Sequence, residues 1–139
     1  MASDALVRAQ LAAAVEAWLA TMISPVVRLF TDTISPGPDT NFLALSQPLG
    51  DWYVEQAVTY GQVYQHPDGS MEVRCTSVQF NYTGTDAPET IRGYYVCETG
   101  SPFTPYHGNN LPAPVVMGTT LDSLIVNAGL IFSPVPVQA

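Results

Sequence analysis

The stretch ETIRGYYVCETG, residues 89–100, decides how this chain is read. A pair of tyrosines stands between Gly93 and Val96, one step before a cysteine, with turn-forming residues at both ends. In extended backbone Ile91, Gly93, Tyr95 and Cys97 share one face, and Arg92, Tyr94, Val96 and Glu98 share the other, because successive side chains alternate. Apolar bodies on both faces predict a central strand with one covered and one partly covered side. Gly93 beside two rings marks a place where another backbone or ring approaches closely. The stretch therefore reads as a packed strand, not as the lining of a reaction centre.

The flanking segments carry the same kind of signal. In MEVRCTSVQFNY, residues 71–82, Met71, Val73 and Cys75 point one way, but Val78, Phe80 and Tyr82 have the opposite parity. That change near Thr76 and Ser77 predicts a bulge or a strand crossing between sheets. Asp68-Gly69 joins this run to DWYVEQAVTYGQVYQ (51–65) as a hairpin turn. VVRLFT (26–31) is a short strand, followed by the stiff Pro/Gly/Asp loop DTISPGPDTN (32–41). Downstream, TGTDAP turns the chain, and PFTPY, APVVMG and DSLIVNAGLIFS supply further strands. In the last of these, Ile125, Asn127, Gly129 and Ile131 alternate with Val126, Ala128, Leu130 and Phe132. Short strands separated by turns predict a mainly β fold, a β-sandwich or barrel-like domain with one N-terminal α-helix.

That helix is SDALVRAQLAAAVEAWLATM, residues 3–22. Ser3 is placed to cap it, Asp4 suits the positive end of the dipole, and alanine fills its middle. Val7, Leu11, Val15, Trp18 and Met22 recur at spacings of four, four, three and four, one apolar stripe that either joins the core or packs on a partner. Ser24 before Pro25 is expected in extended geometry, ending the helix. The chain thus divides into an N-terminal helix at 1–24 (an assembly or core-packing arm), a β-domain at 25–133 and an extended C-terminal tail at 134–139.

Composition bounds the function. The chain has 139 residues and no lysine; its cations are Arg8, Arg28, Arg74 and Arg92 against twelve carboxylates, a net charge of −8. Such a surface repels phosphate, which disfavours direct contact with nucleic acid or anionic lipid. Charged residues make up 12%, about half of the ~25% usual in soluble domains. Surfaces that meet other protein lose charge, so the deficit favours a subunit of an assembly. No uncharged apolar run approaches the ~20 residues that span a bilayer. Residues 1–24 do not read as a secretory signal, since Asp4 stands where a basic region is expected. Cys75 and Cys97 are read as buried free thiols, with a single bridge left open.

The chemical inventory is thin. His66 and His107 both sit in proline-containing turn segments, and a metal site would require them to converge with a carboxylate such as Asp68. Asp32, Asp39 and Asp51 lie near loops but lack the spacing of a calcium loop. No nucleophile motif, phosphate loop or paired-carboxylate spacing occurs. No catalytic, cofactor-binding or metal residues are assigned. Trp52, Tyr53, Tyr60, Tyr64, Tyr82, Tyr94, Tyr95 and Tyr106 suit a glycan-binding floor, but equally core and interface packing, which is the preferred reading.

The succession VRLFTDTISPGPDT, a Trp/Tyr strand, PDGSMEV, FNYTGTDAPETIRGYYV, APVVM and DSLIVNAGLIFS resembles small virion structural proteins of tailed bacteriophages over residues 26–133. The resemblance implies a non-enzymatic virion protein, above all a capsid decoration or cement protein on the outer capsid surface, assembled in the host cytoplasm. Its partners would be the major capsid protein and copies of itself, as a dimer or trimer, with no nucleic acid, membrane or cofactor. Val7, Leu11 and Trp18 on the helix stripe, or Pro134 and Pro136 in the tail, are the expected assembly contacts. The alternatives are a tail, fibre or baseplate component with a glycan- or receptor-binding β-domain, an enzyme using His66 or His107, and a cellular adaptor.

Overall fold

The computed structural model describes residues 2–37, 39–99 and 105–132, the side chains of residues 2–9 excepted. Among the described residues one helix, α1 (Ala2–Ala20), precedes nine strands: β1 (Pro25–Phe30), β2 (Gln56–Ala57), β3 (Tyr60–Gln65), β4 (Met71–Cys75), β5 (Val78–Asn81), β6 (Glu89–Glu98), β7 (Pro105–Met117), β8 (Ser123–Val126) and β9 (Leu130–Phe132). A short 3-10 turn at Phe42–Ala44 interrupts the loop after β1. The strands form three antiparallel sheets, ordered β2-β1-β6-β7, β3-β4-β9 and β5-β8. The mainly β architecture with one N-terminal helix is as the sequence predicts, and no barrel closes among the described residues.

β6 is the central strand. It pairs with β1 on one edge and β7 on the other, and Ile91, Tyr95, Val96 and Cys97 are all at 1% exposure or less. One core lies between this sheet and the β5-β8 pair, where Val27, Leu29, Ile91, Val96 and Met117 meet Val78, Phe80, Leu124 and Val126. A second, smaller core occupies the other face, where Val26, Phe30, Tyr95 and Cys97 pack on Phe42 from the loop, with Ile34 and Leu45 beside them. Ile91, expected on the face of Tyr95 and Cys97, lies in the first core instead, because the β6-β7 register shifts between Ile91 and Gly93. A Cβ at Gly93 would fall inside the Phe30 ring and 2.5 Å from the Asn109 carbonyl oxygen, the close approach expected at that glycine.

The parity change at Thr76–Ser77 is both a bulge and a crossing. β4 pairs with β9 and β5 pairs with β8, so the chain passes from one sheet to the other between Cys75 and Val78 while its partner does so between Val126 and Leu130. Val73 to Val78 is five residues, whereas the facing Val126 to Leu130 is four. The extra residue turns the even positions inward, so that Met71 and Val73 are buried in one half and Val78 and Phe80 in the other. DSLIVNAGLIFS therefore forms two strands instead of one, yet keeps its alternation: Leu124, Val126 and Ala128 are buried, Ile125 and Ile131 exposed. The hairpin at Asp68-Gly69 forms as expected, with Gly69 at φ 92 and the Ser70 hydroxyl and amide on Asp68.

Two local expectations are corrected. Ser3 lies within the helix instead of capping it, because Ala2, a strong helix former, already belongs to α1. Ser24 is not extended but left-handed, at φ 43. Its carbonyl is held by the Thr99 amide and hydroxyl, which fixes the sharp entry from the helix into β1. Upstream, the last turn of the helix tightens through Thr21 N–H to Trp18 O and Met22 N–H to Leu19 O.

Candidate functional site

The residues singled out in the sequence do not converge. His66 bonds Glu72 Oε1 at 3.1 Å on the outer side of the β3-β4 hairpin, and Glu72 also binds Arg74 Nε at 2.9 Å. His107, expected in a loop, lies on β7 opposite Val96 and has entirely different neighbours. Asp32 accepts from the Ser46 amide and Asp39 is exposed, while Asp51 lends its backbone amide to Asp86. Among the described residues no three His, Cys, Asp or Glu side chains come together as metal ligands. Cys75 on β4 and Cys97 on β6 stand in different sheets, both as free thiols; Cys97 is buried as expected, but Cys75 is only half-buried.

The aromatic residues are mostly interior. Trp52, Tyr82 and Tyr95 are buried, and Tyr53, Tyr60, Tyr94 and Tyr106 are half-buried. Tyr64 is exposed, and Arg74 lies over its ring, 4.1 Å from the centroid. Of the expected assembly contacts, Trp18 packs within the molecule, edge-on to Phe132 and tilted against His107 at 5.9 and 6.1 Å. Leu11 is half-buried, and Val15 on the same stripe is buried. The Val7 side chain and residues 134 and 136 lie outside the described residues.

Two polar knots hold the layers together. In the first, Tyr60 OH lies 2.7 Å from His107 Nε2 and donates to the Ala128 carbonyl at 3.1 Å. A hydroxyl has one proton, so both bonds are satisfied when His107 carries its proton on Nε2 and donates to the Tyr60 oxygen. Trp18, Tyr60 and Tyr94 rings surround the imidazole at 6.1 to 6.4 Å, and burial pushes its pKa down to about 4. Helix, β3, β6 and β7 are thereby joined around one neutral ring. In the second knot, Arg28 is 7% exposed and meets Glu55 Oε1 at 3.3 Å. Nothing in the sequence flags Arg28 beyond its being a cation inside the apolar strand VVRLF.

A different place displays rather than hides apolar surface. Three connecting segments, 47–52, 82–89 and 117–122, are stitched together by carboxylates that accept backbone amides. Glu89 takes the Leu49 and Gly50 amides at 2.7 and 3.1 Å, and Asp86 takes Asp51 at 2.8 Å. Asp122 takes Gly118 and Thr119, both at 2.8 Å, and these two amides hold its carboxyl below the usual carboxylate range. Tyr82 ties the segments by donating its hydroxyl to the Asp86 carbonyl and its amide to the Asp122 carbonyl, while Gly118 lies against Pro88. On this braced end Leu49 and Leu121 are each 92% exposed, and Val116 stands 56% exposed on the adjoining strand. The signal in the sequence is a leucine set between turn formers, in PLG and TLD, where nothing in a monomer requires one.

Comparison with protein-family models, with curated proteins and with solved structures gave no match. No helix among the described residues is long and apolar enough to cross a membrane.

Proposed function

We propose that this chain is a non-enzymatic bacteriophage virion structural protein, and specifically a capsid decoration or cement protein that binds the major capsid protein from outside and stabilises the shell. The observation that carries the reading is the braced end bearing Leu49 and Leu121. Burying one such side chain on a partner contributes roughly 1.5–3 kcal/mol. Loops already fixed by hydrogen bonds lose little freedom on docking, so that gain is largely retained. A shell repeats its binding sites, so modest contacts of this size suffice when many copies act together. The low charge density and the resemblance of residues 26–133 to small phage virion proteins support the same role.

The test is to add purified protein to shells that lack it. The wild-type chain is expected to cosediment in many copies and to raise the temperature at which the particles rupture. Leu49→Asp/Leu121→Asp is expected to leave the protein's own melting unchanged while weakening shell binding at least tenfold. Failure of the wild-type chain to bind, or equal binding by the double variant, would reject the reading. A low copy number in intact particles would move the chain to the tail, fibre or baseplate.

A further inference from the structure

Among the described residues β7 is the edge strand of the largest sheet, and no described strand pairs with its outer side. It pairs with β6 alone, and among the described residues no other backbone-to-backbone hydrogen bond reaches it, although the Asn110 amide is taken by the Asn109 side chain at 2.8 Å. Along that side runs a groove of about 470 Å³, between the loop at Pro36 and Thr40 and the strand. Five successive strand residues, 105–109, line it. Side chains alternate faces, so a cleft that touches every residue in turn runs along the backbone edge itself. The pairing-competent edge is also bounded. Pro105 begins the strand, and regular pairing with β6 is interrupted between Asn110 and Val115, where Pro112 and Pro114 stand. Exposed edges of this kind recruit another strand unless something covers them.

The chain contains a segment suited to that edge. In SPVPVQA, residues 133–139, proline and valine alternate. In extended backbone the amide and carbonyl of one residue point to the same edge, and those of the next residue to the opposite edge. Val135 and Val137 would therefore direct both donor and acceptor to one side, while Pro134 and Pro136 remove two donors from the other and leave there only that of Gln138. Such a strand pairs once and then terminates the sheet.

We propose that copies of this chain assemble by strand exchange, residues 133–139 of one copy adding to the β7 edge of a neighbouring copy at residues 105–110. The segment follows Phe132, whose ring is 5.9 Å from Trp18, itself 6.1 Å from His107 on β7, so the donor leaves close to the acceptor edge. Ile131 on β9 and Ile125 on β8, 69% and 63% exposed, are apolar surface that a neighbouring copy would cover and that pairing within one copy would leave bare. Backbone pairing supplies the affinity, as in other strand-addition complexes. The inference is independent of what shell, if any, the assembly binds.

The experiment measures the mass of the full chain by light scattering, with amide exchange at 106–109 read in parallel. The wild-type chain is expected to be oligomeric, with those amides slow to exchange. Val135→Pro, which removes an inward donor, is expected to weaken assembly at least tenfold and to release the protection, whereas Val135→Ala preserves both. Pro134→Val/Pro136→Val restores donors on the outer edge and is expected to drive growth to larger, concentration-dependent species, a readout that holds even where Val135→Pro lowers folding stability. A wild-type monomer with unprotected β7 amides overturns the proposal. So does a monomer whose protection is lost in Val135→Pro, which means pairing within one copy, and so does an oligomer indifferent to the proline.

Discussion

His107 makes stability depend on pH in a way that can be isolated. Its ring is neutral in the fold, held between Trp18, Tyr60 and Tyr94, with its pKa lowered from 6.5 to about 4 by burial. The unfolded chain takes up the proton near the normal value and the folded chain does so only near 4. Stability is therefore full above pH 6.5, falls as pH drops through the window between the two values, and levels off below the folded pKa. A shift of this size corresponds to about 3 kcal/mol. Attraction of the imidazolium to the surrounding rings would return ~0.5–1 kcal/mol, which leaves the desolvation penalty dominant. The assay is urea unfolding of the wild-type chain and of His107→Phe from neutral pH to pH 4, compared as a difference. The subtraction removes the carboxylates Asp68, Glu72 and Asp122, whose lowered pKa values also drain stability in acid. The wild-type chain should lose ~2–3 kcal/mol more than the variant over that window. Parallel curves for the two proteins would show that burial does not hold the His107 imidazole neutral in the fold.

Two backbone positions give complementary tests. Gly93→Ala places a methyl group inside the Phe30 ring and against the Asn109 carbonyl, which cannot retreat without breaking the β6-β7 ladder; a loss of about 3 kcal/mol in denaturant unfolding is expected. Ser24 sits at φ 43, so Ser24→Gly should stabilise by about 0.5–1 kcal/mol and Ser24→Val should destabilise, the two melts moving in opposite directions.

Alternation was the most legible signal in this sequence, because it reports which backbone face meets the core. It gave the central strand at 89–98, the hairpin at Asp68-Gly69 and the parity change at Thr76–Ser77. Where alternation is absent, other forces decide. PYHGNN looks like loop because Gly, Asn and Pro disfavour strands, yet residues 105–110 are held extended by pairing with β6. The helix stripe showed that Trp18 and its neighbours must be covered, but not by what; the answer, His107 and Phe132, lies more than eighty residues away in sequence. Leu49 and Leu121 give no sign of a role on their own, because isolated apolar residues in turns carry no periodicity. Their meaning emerges when three loops from distant positions come together at one end.

The extra residue between Val73 and Val78 ties the length of the chain to its orientation. Removing either Thr76 or Ser77 would turn Val78, Phe80 and Tyr82 inside out, presenting Gln79 and Asn81 to the interior. Trimming a matching residue from 127–129 would not repair this, since orientation belongs to each strand separately. At this joint the fold counts odd from even, and only changes of two residues leave its inner and outer surfaces where they were.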